Sequence, residues 1–355
     1  MMERNDLKAL YKILFVFAIL LVVFFYTNTP VKENEVLKSP NKTYPEQTAP
    51  QTNNDVMPRP KTGFSTYVGK KVSEFEEKYG KPDRKAPSAY GFKWWVYNQE
   101  DQQYLLVGVE KGKVVQVFLT GEQVDAAPFE VGQTIEDLYR NTITDTEVHV
   151  KIDDSTYTFM LSEADLYTRL LVMYDGVYAQ LFFDGIEGEL EAVRYLDGKT
   201  LVKMQPYDMT YVGDMLEPKT PSSFVQQKIN EENALQLAEL TNIFRTHHGL
   251  PTLTFDEQVN TLAASQSSLF ARGDGKEDVG LKQNLKNAGI EFDGAAENAA
   301  EDYVDAPEAI HSFMNSDKHR TTMLDEAFTV LGTGTYAKNY VQIFIESSKS
   351  ASDSE

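Results

Sequence analysis

Fourteen residues from Ile13 to Tyr26 (ILFVFAILLVVFFY) run without a charged or polar break, and Arg4, Lys8 and Lys12 precede them. A helix that crosses a bilayer needs about 20 apolar residues. Ala9, Leu10 and Tyr11 bring the run near the lower limit, with Lys12 snorkelling to the interface. The following YTNTPVKEN offers no small-x-small cleavage site, so the run reads as an uncleaved signal anchor rather than a removed signal peptide. A run at the very N-terminus with basic residues before it does not fit a buried core helix. The basic flank stays inside. Residues 1–12 are thus expected in the cytoplasm and 13–27 in the membrane, and everything beyond is expected to be extracellular. That is the layout of a single-pass cell-membrane protein.

With 355 residues the chain has room for two folded domains and connecting material. Its formal net charge of −20 and lack of a basic stripe exclude nucleic acid as a partner, because phosphate would be repelled. There is no cysteine, which removes disulfides, thiolate metal sites and cysteine nucleophiles.

Residues 28–61 hold six of the fourteen prolines and lack apolar periodicity, so they are expected to be a disordered linker. From 62 to 216 the texture is short β-type runs, such as Trp94–Tyr97, Tyr104–Val107 and Val114–Phe118, with Lys-Gly and Asp-Gly turn pairs between several of them. Val68-Gly69 precedes Val72 and Phe75 as Val131-Gly132 precedes Ile135 and Leu138. This predicts a duplication, with two small α+β units at about 62–121 and 128–200, each opened by a short helix. His149 reads as a solvated strand residue. Trp94 and Trp95 face opposite ways in a strand, one toward the core and the other a candidate for a binding surface.

A hinge at 217–224 leads to a different domain. Helices are expected from about Val225 to His248, after the capping-box spacing of Thr254 and Glu257, over Leu281–Ala288, and after that of Asp305 and Glu308. Thr329–Tyr336 and Tyr340–Glu346 read as strands, and 348–355 as a disordered tail. Titratable residues gather in Ala296-Glu297-Asn298, at Glu308 and in Ser316-Asp317-Lys318-His319-Arg320. Two carboxylates and an imidazole make an acid/base or metal set if they converge.

The run Asn242–Arg245, then Gly249-Leu250-Pro251, Ala296-Glu297-Asn298, EAIHSFMNS from Glu308, and Ser316–Arg320 with Met323-Leu324, resembles the ordered motifs of bacterial CAP domains. These form the cysteine-rich secretory protein, antigen 5 and pathogenesis-related superfamily. The resemblance spans about 225–347. The whole chain is similar to Bacillus-type membrane-anchored CAP proteins with a CAP-associated region ahead of the CAP domain. It implies an α+β fold: a C-terminal α-β-α sandwich, preceded by the duplicated β-rich domain and a single transmembrane helix. It also implies a cavity of two His and two Glu that can hold a divalent metal. By motif, Glu297, Glu308 and His319 are three of the four, with Asn298 and Arg320 in support. The first histidine should fall near 270–277, and FARGDGKE has none. One imidazole and two carboxylates would hold a divalent cation only weakly, so no tight zinc site is expected.

Each residue also has a structural role open to it. Glu308 can be the N3 member of a capping box, His319 can orient a carboxylate, Arg320 can brace a loop, and His311 reads as surface. The implied function is a non-catalytic binding protein of the Gram-positive cell envelope, engaging an envelope protein, wall component or lipid. The rival readings are a metal-dependent hydrolase or protease using Glu297, Glu308 and His319, and a lipid carrier.

Overall fold

The computed structural model describes residues 14, 15, 17, 30–45, 56–100, 103–121, 124–142, 144–273 and 279–347. Three short strands come first: β1 (Val31–Glu33), β2 (Leu37–Lys38) and β3 (Thr43–Pro45). The first of the two expected units holds α1 (Val72–Tyr79), β4 (Arg84–Pro87), β5 (Lys93–Glu100), β6 (Gln103–Glu110) and β7 (Lys113–Thr120). The second is α2 (Ile135–Asn141), β8 (Glu147–Ile152), β9 (Ser155–Met160), α3 (Glu163–Thr168), β10 (Arg169–Tyr174), β11 (Val177–Phe183) and β12 (Leu190–Leu196). Then follow α4 (Gly198–Met204) and β13 (Asp208–Val212).

The two Val-Gly pairs make the same connection twice. Gly69 and Gly132 sit at φ +89° and +87°, where a side chain is strained. Gly69 N–H donates to the Val114 carbonyl (2.7 Å), and Val114 N–H returns to the Lys70 carbonyl (2.9 Å). Gly132 N–H donates to the Leu190 carbonyl (2.8 Å), and Leu190 N–H returns to the Gln133 carbonyl (2.9 Å). Each pair thus fastens the start of its helix to the last strand of its own unit. Those two last strands, β7 and β12, pair antiparallel, with Phe118 opposite Arg194. The units are therefore fused in one seven-stranded sheet, β10-β11-β12-β7-β6-β5-β4, rather than standing as separate bodies. The β8–β9 hairpin leaves it for a four-stranded sheet, β3-β13-β9-β8.

Both tryptophans are buried, which removes the expected exposed one. Trp94 packs edge-on to Phe92 at 4.7 Å, and Trp95 lies under the Lys85 ammonium at 3.5 Å. His149 is also buried, with Nδ1 3.0 Å from Thr158 Oγ1. Both faces of the sheet are covered, so the β strands carry long apolar runs with no solvent face.

The second domain holds α5 (Ser223–His247), β14 (Thr254–Phe255), α6 (Glu257–Arg272), α7 (Leu281–Asn287), β15 (Gly294–Glu301), α8 (Ala306–Met314), α9 (Asp317–Met323), β16 (Val330–Tyr336) and β17 (Asn339–Glu346). Asp256 caps α6, in place of the expected Thr254, which pairs in β14. The sheet runs β1-β15-β17-β16-β14. Alternation along β15 divides the core. Ala296 and Ala300 pack with Leu237 of α5 and Phe313 of α8, while Ala295 and Ala299 pack with Val259 of α6 and Leu285 of α7. Helices on both faces give the expected α-β-α sandwich.

The fold class needs correction on two points. The expected transmembrane helix at 13–27 lies outside the described residues apart from Leu14, Phe15 and Phe17, and no described helix is long and apolar enough to cross a membrane. The chain is also richer in strands than expected, with seventeen strands against nine α-helices among the described residues. The stretch read as a disordered linker differs as well. Its described part is paired to both domains: β1 and β2 run parallel to β15, and β3 runs parallel to β13. Composition misses this because the sheets it joins supply the hydrogen bonds and apolar cover that the segment lacks.

Candidate functional site

One face of the seven-stranded sheet carries Arg84, Arg169 and Arg194, with Gln180 between the last two. That face lies against the acidic side of α5 and α8. Arg84 pairs with Glu232 (3.0 Å) and Glu239 (2.6 Å), and Tyr104 Oη donates to Glu239 (2.7 Å). Arg194, wholly buried between the rings of Phe118 and Phe182, donates through Nη2 to both oxygens of Asp305 (2.8 and 2.7 Å). Arg169 bridges Asp165 (2.6 Å) and Glu308 (2.6 Å).

Glu308 is thus one of the points at which the two domains meet. Asp305 Oδ1 accepts the Glu308 N–H (3.2 Å), so the expected helix cap is present and sets the carboxylate on the first turn of α8. Its Oε2 then takes Arg169, and its Oε1 takes the Gln180 amide at 2.5 Å. Burial pulls the Arg169 guanidinium down, but the Glu308 and Asp165 carboxylates more than offset this, so its pKa ends above its ordinary value. Burial holds Asp305 above the usual carboxylate range against the pull of Arg194. His311, read as surface, is buried against Phe182 with ring centroids 5.1 Å apart. Burial and then the Arg169 charge push it down to about 3. It is covered because α8 is sandwiched between α5 and the other domain's sheet.

His319 stands elsewhere. It is buried on α9, stacked on Phe313 (5.5 Å, 18°). Its Nε2 lies 2.9 Å from the Glu35 carbonyl and its Nδ1 2.8 Å from Ser316 Oγ. A carbonyl only accepts, so Nε2 carries the proton and Nδ1 accepts from the serine. Burial lowers its pKa. Asn298 donates to the His319 carbonyl (3.1 Å) and to Gln342 Oε1 (3.2 Å). Glu297 is the next residue on β15, so its side chain leaves from the opposite face, with Ala295 and Ala299, toward α6 and α7.

The three candidate ligands therefore occupy three environments. Among the described residues, the one group whose ligand atoms gather within 4.8 Å is Asp184, Glu187 and His248, which sequence reading did not single out. Arg320 fills it: the guanidinium donates to Asp184, to Glu187 (2.7 Å) and toward His248 Nε2 (3.0 Å). The donor sets do not fit the metal implied by the resemblance. Glu308 is neutralised by Arg169, both nitrogens of His319 are engaged, and the third acidic cluster already holds a cation.

A separate groove of about 880 Å³ runs between α5 and α6 across the end of β16. Gln226, Asn230 and Thr261 supply polar groups, while Leu235, Phe255 and Tyr336 supply apolar walls. Glu231 and Glu257 line it, and among the described residues no lysine or arginine does. Gly334 permits the close approach of α6 to β16 beside the groove, since an added Cβ would meet Ala264 N at 2.0 Å.

Comparison with known proteins agrees with this architecture. Residues 68–207 match the family described as CAP-associated N-terminal, and 238–344 match the cysteine-rich secretory protein family. The chain is 32% identical to the uncharacterized membrane protein YlbC of Bacillus subtilis over 97% of this chain and 99% of that protein. It is similar to the solved structure of an extracellular protein containing a SCP domain from Bacillus anthracis (TM-score 0.76, 33% identity, covering 85% of this chain and 100% of the other). It is also similar to a cysteine-rich secretory protein from Staphylococcus aureus (TM-score 0.75, 28% identity, 88% and 100%).

Proposed function

Since this chain belongs to the cysteine-rich secretory protein family and carries its CAP-associated N-terminal domain, we propose that it is a membrane-associated, extracytoplasmic binding protein of the cell envelope rather than a hydrolase. The observation that carries this reading is the fate of Glu308. A carboxylate held by Arg169 and Gln180 in a buried interface is neither a base nor a ligand; it fastens one domain to the other. The names of two relatives, a membrane protein and an extracellular protein, support the location.

The groove between α5 and α6 is the binding surface in this reading. Amide and hydroxyl groups between aromatic walls suit an uncharged wall glycan, whose rings stack and whose hydroxyls pair. Two carboxylates without a cation disfavour phosphate-bearing polymers and anionic lipid. The full-length protein is to be measured for bound zinc and incubated with peptides and wall fragments. Binding of uncharged wall glycan, weakened at least about tenfold by Phe255→Ala, is expected. Stoichiometric zinc together with hydrolysis that Glu297→Ala abolishes overturns the proposal.

A further inference from the structure

Lysines that stand far apart in the chain are gathered at one end of the seven-stranded sheet. Lys71 and Lys113 face each other across an antiparallel bridge, and the Val72 N–H donates to the Gly112 carbonyl (2.9 Å). The β6–β7 turn thus sets Lys111 and Lys113 beside Lys70 and Lys71 at the start of α1. The Asp197 N–H donates to the Val115 carbonyl (3.0 Å), which brings the start of α4, with Lys199, to the same end. Lys70, Lys71, Lys111, Lys113 and Lys199 are all exposed. Among the described residues, none of these lysines has a carboxylate within ion-pair distance. Lys203 of α4 pairs with Glu110 (3.1 Å) and so neutralises the acid of the turn itself. Glu74 is then the one exposed acid on residues 69–74, 110–113 and 197–203. A cleft of about 460 Å³ adjoins Lys70 and is lined by Arg59, Thr66 and Gly69. Arg59 Nη2 donates to the carbonyls of Ser65 (2.6 Å) and Val68 (2.5 Å), which fixes the guanidinium without neutralising it.

This end is an exception in a chain of net charge −20. Charges farther away than a Debye length of about 10 Å are screened, so a ligand in contact here meets the lysines and not the remote acids. The positive charge is spread over three stretches of chain instead of converging on one point. That suits a ligand whose negative charge repeats along its length better than a single phosphate. Ammonium groups on flexible stems follow a phosphate backbone as point charges. A bilayer surface fits less well, because a peripheral binder also sinks apolar side chains below the headgroups. None of the exposed large apolar residues lies on these three stretches.

We propose that this basic end of the CAP-associated domain is a docking surface for an anionic envelope polymer of repeating phosphodiesters, seated on Lys70, Lys71, Lys111, Lys113 and Lys199, with one phosphate entering the Arg59 cleft. The proposal takes the extracytoplasmic location from the reading above. It shares no residue with the groove between α5 and α6, whose carboxylates turn phosphate away. The two domains then grip chemically different wall components.

The test uses the full-length protein and fluorescein-labelled poly(glycerol phosphate), read by anisotropy over a range of salt concentrations. Lys71→Gln, Lys111→Gln and Lys113→Gln together are expected to weaken binding at least about tenfold. They should also make the slope of log affinity against log salt shallower by about 2, since each lost phosphate contact removes about 0.7. Replacing the same three lysines by arginine keeps the charge and should leave binding as it is. Lys219→Gln, Lys286→Gln and Lys318→Gln remove equal charge from exposed positions elsewhere and should have little effect. Phe255→Ala should leave polymer binding unchanged, which separates this surface from the groove. Equal weakening by the two glutamine triples, or no weakening by the first, overturns the proposal. So does an arginine triple that no longer binds, or a Phe255→Ala variant that loses the polymer. Tighter binding to phosphatidylglycerol vesicles than to the polymer, lost in the first triple, overturns it in favour of a membrane surface.

Discussion

Arg194→Met is the substitution that most directly probes the interface. Arg194 is 0% exposed and donates to both oxygens of Asp305, to Gln180 Oε1 at 3.1 Å, and lies 3.6 Å from Glu308. Methionine fills much of the space between Phe118 and Phe182 but leaves Asp305 buried with only the Glu308 N–H. Removing one partner of a buried pair costs about 3–5 kcal/mol. At a urea slope of about 3 kcal/mol/M the midpoint falls by about 1–1.7 M. Intrinsic fluorescence reads this directly, since Trp94 and Trp95 both lie in the affected sheet. The pH dependence has a definite sign. Burial already holds Asp305 above its ordinary value, and Arg194 is the main opposing pull, so the substitution raises the folded pKa further. An acid whose folded pKa exceeds its unfolded one loses stability as pH rises through the gap, so the deficit is larger at pH 8 than at pH 5. Arg194→Met with Asp305→Asn should recover at least half of it. A deficit below about 1 kcal/mol, or one that grows toward pH 5, refutes the reading of this pair as a buried charge lock.

Further outcomes follow from the same geometry. His311, pushed down to about 3 by burial, is neutral when folded, so its contribution is complete above its unfolded value and drains as pH falls below it. Between pH 6.5 and 5 this costs about 2 kcal/mol, and His311→Gln should show a flatter urea midpoint over that range. Gly69→Ala and Gly132→Ala should each cost about 1–2 kcal/mol from positive φ alone, because no atom lies within 4 Å of the added Cβ; similar losses in thermal melts would mark the two repeats as equivalent. Gly334→Ala should cost about 3 kcal/mol or more, since the new methyl meets helix backbone that cannot yield, and a soluble variant with an unchanged melt contradicts that.

Local signals carried much of the second domain. Asp305 caps α8 by accepting the Glu308 N–H, although the Glu308 carboxylate turns to Arg169 and Gln180 instead of closing a capping box; Gly273 stands in the left-handed backbone that ends α6, and the two terminal strands lie where alternation and turn residues put them. The Val-Gly repeat announced two related helices in the first domain. These features arise from neighbours within a few residues, so one chain segment contains the physics that makes them.

Motifs within the chain point to a β-rich CAP-associated domain followed by a CAP domain, and to the side chains chemically able to form a site. What those side chains do was settled by packing. Glu297 and Asn298 are adjacent in the chain but leave opposite faces of β15, a parity that takes effect only once helices cover both faces. Glu308 meets Arg169 from 139 positions away, and His319 meets the carbonyl of Glu35 from 284 positions away. Composition marked the segment around Glu35 as unable to fold alone, which is a statement about its own side chains. The partner it found is the unpaired edge of a strand more than 250 residues later, and backbone hydrogen bonding at an edge requires no particular sequence.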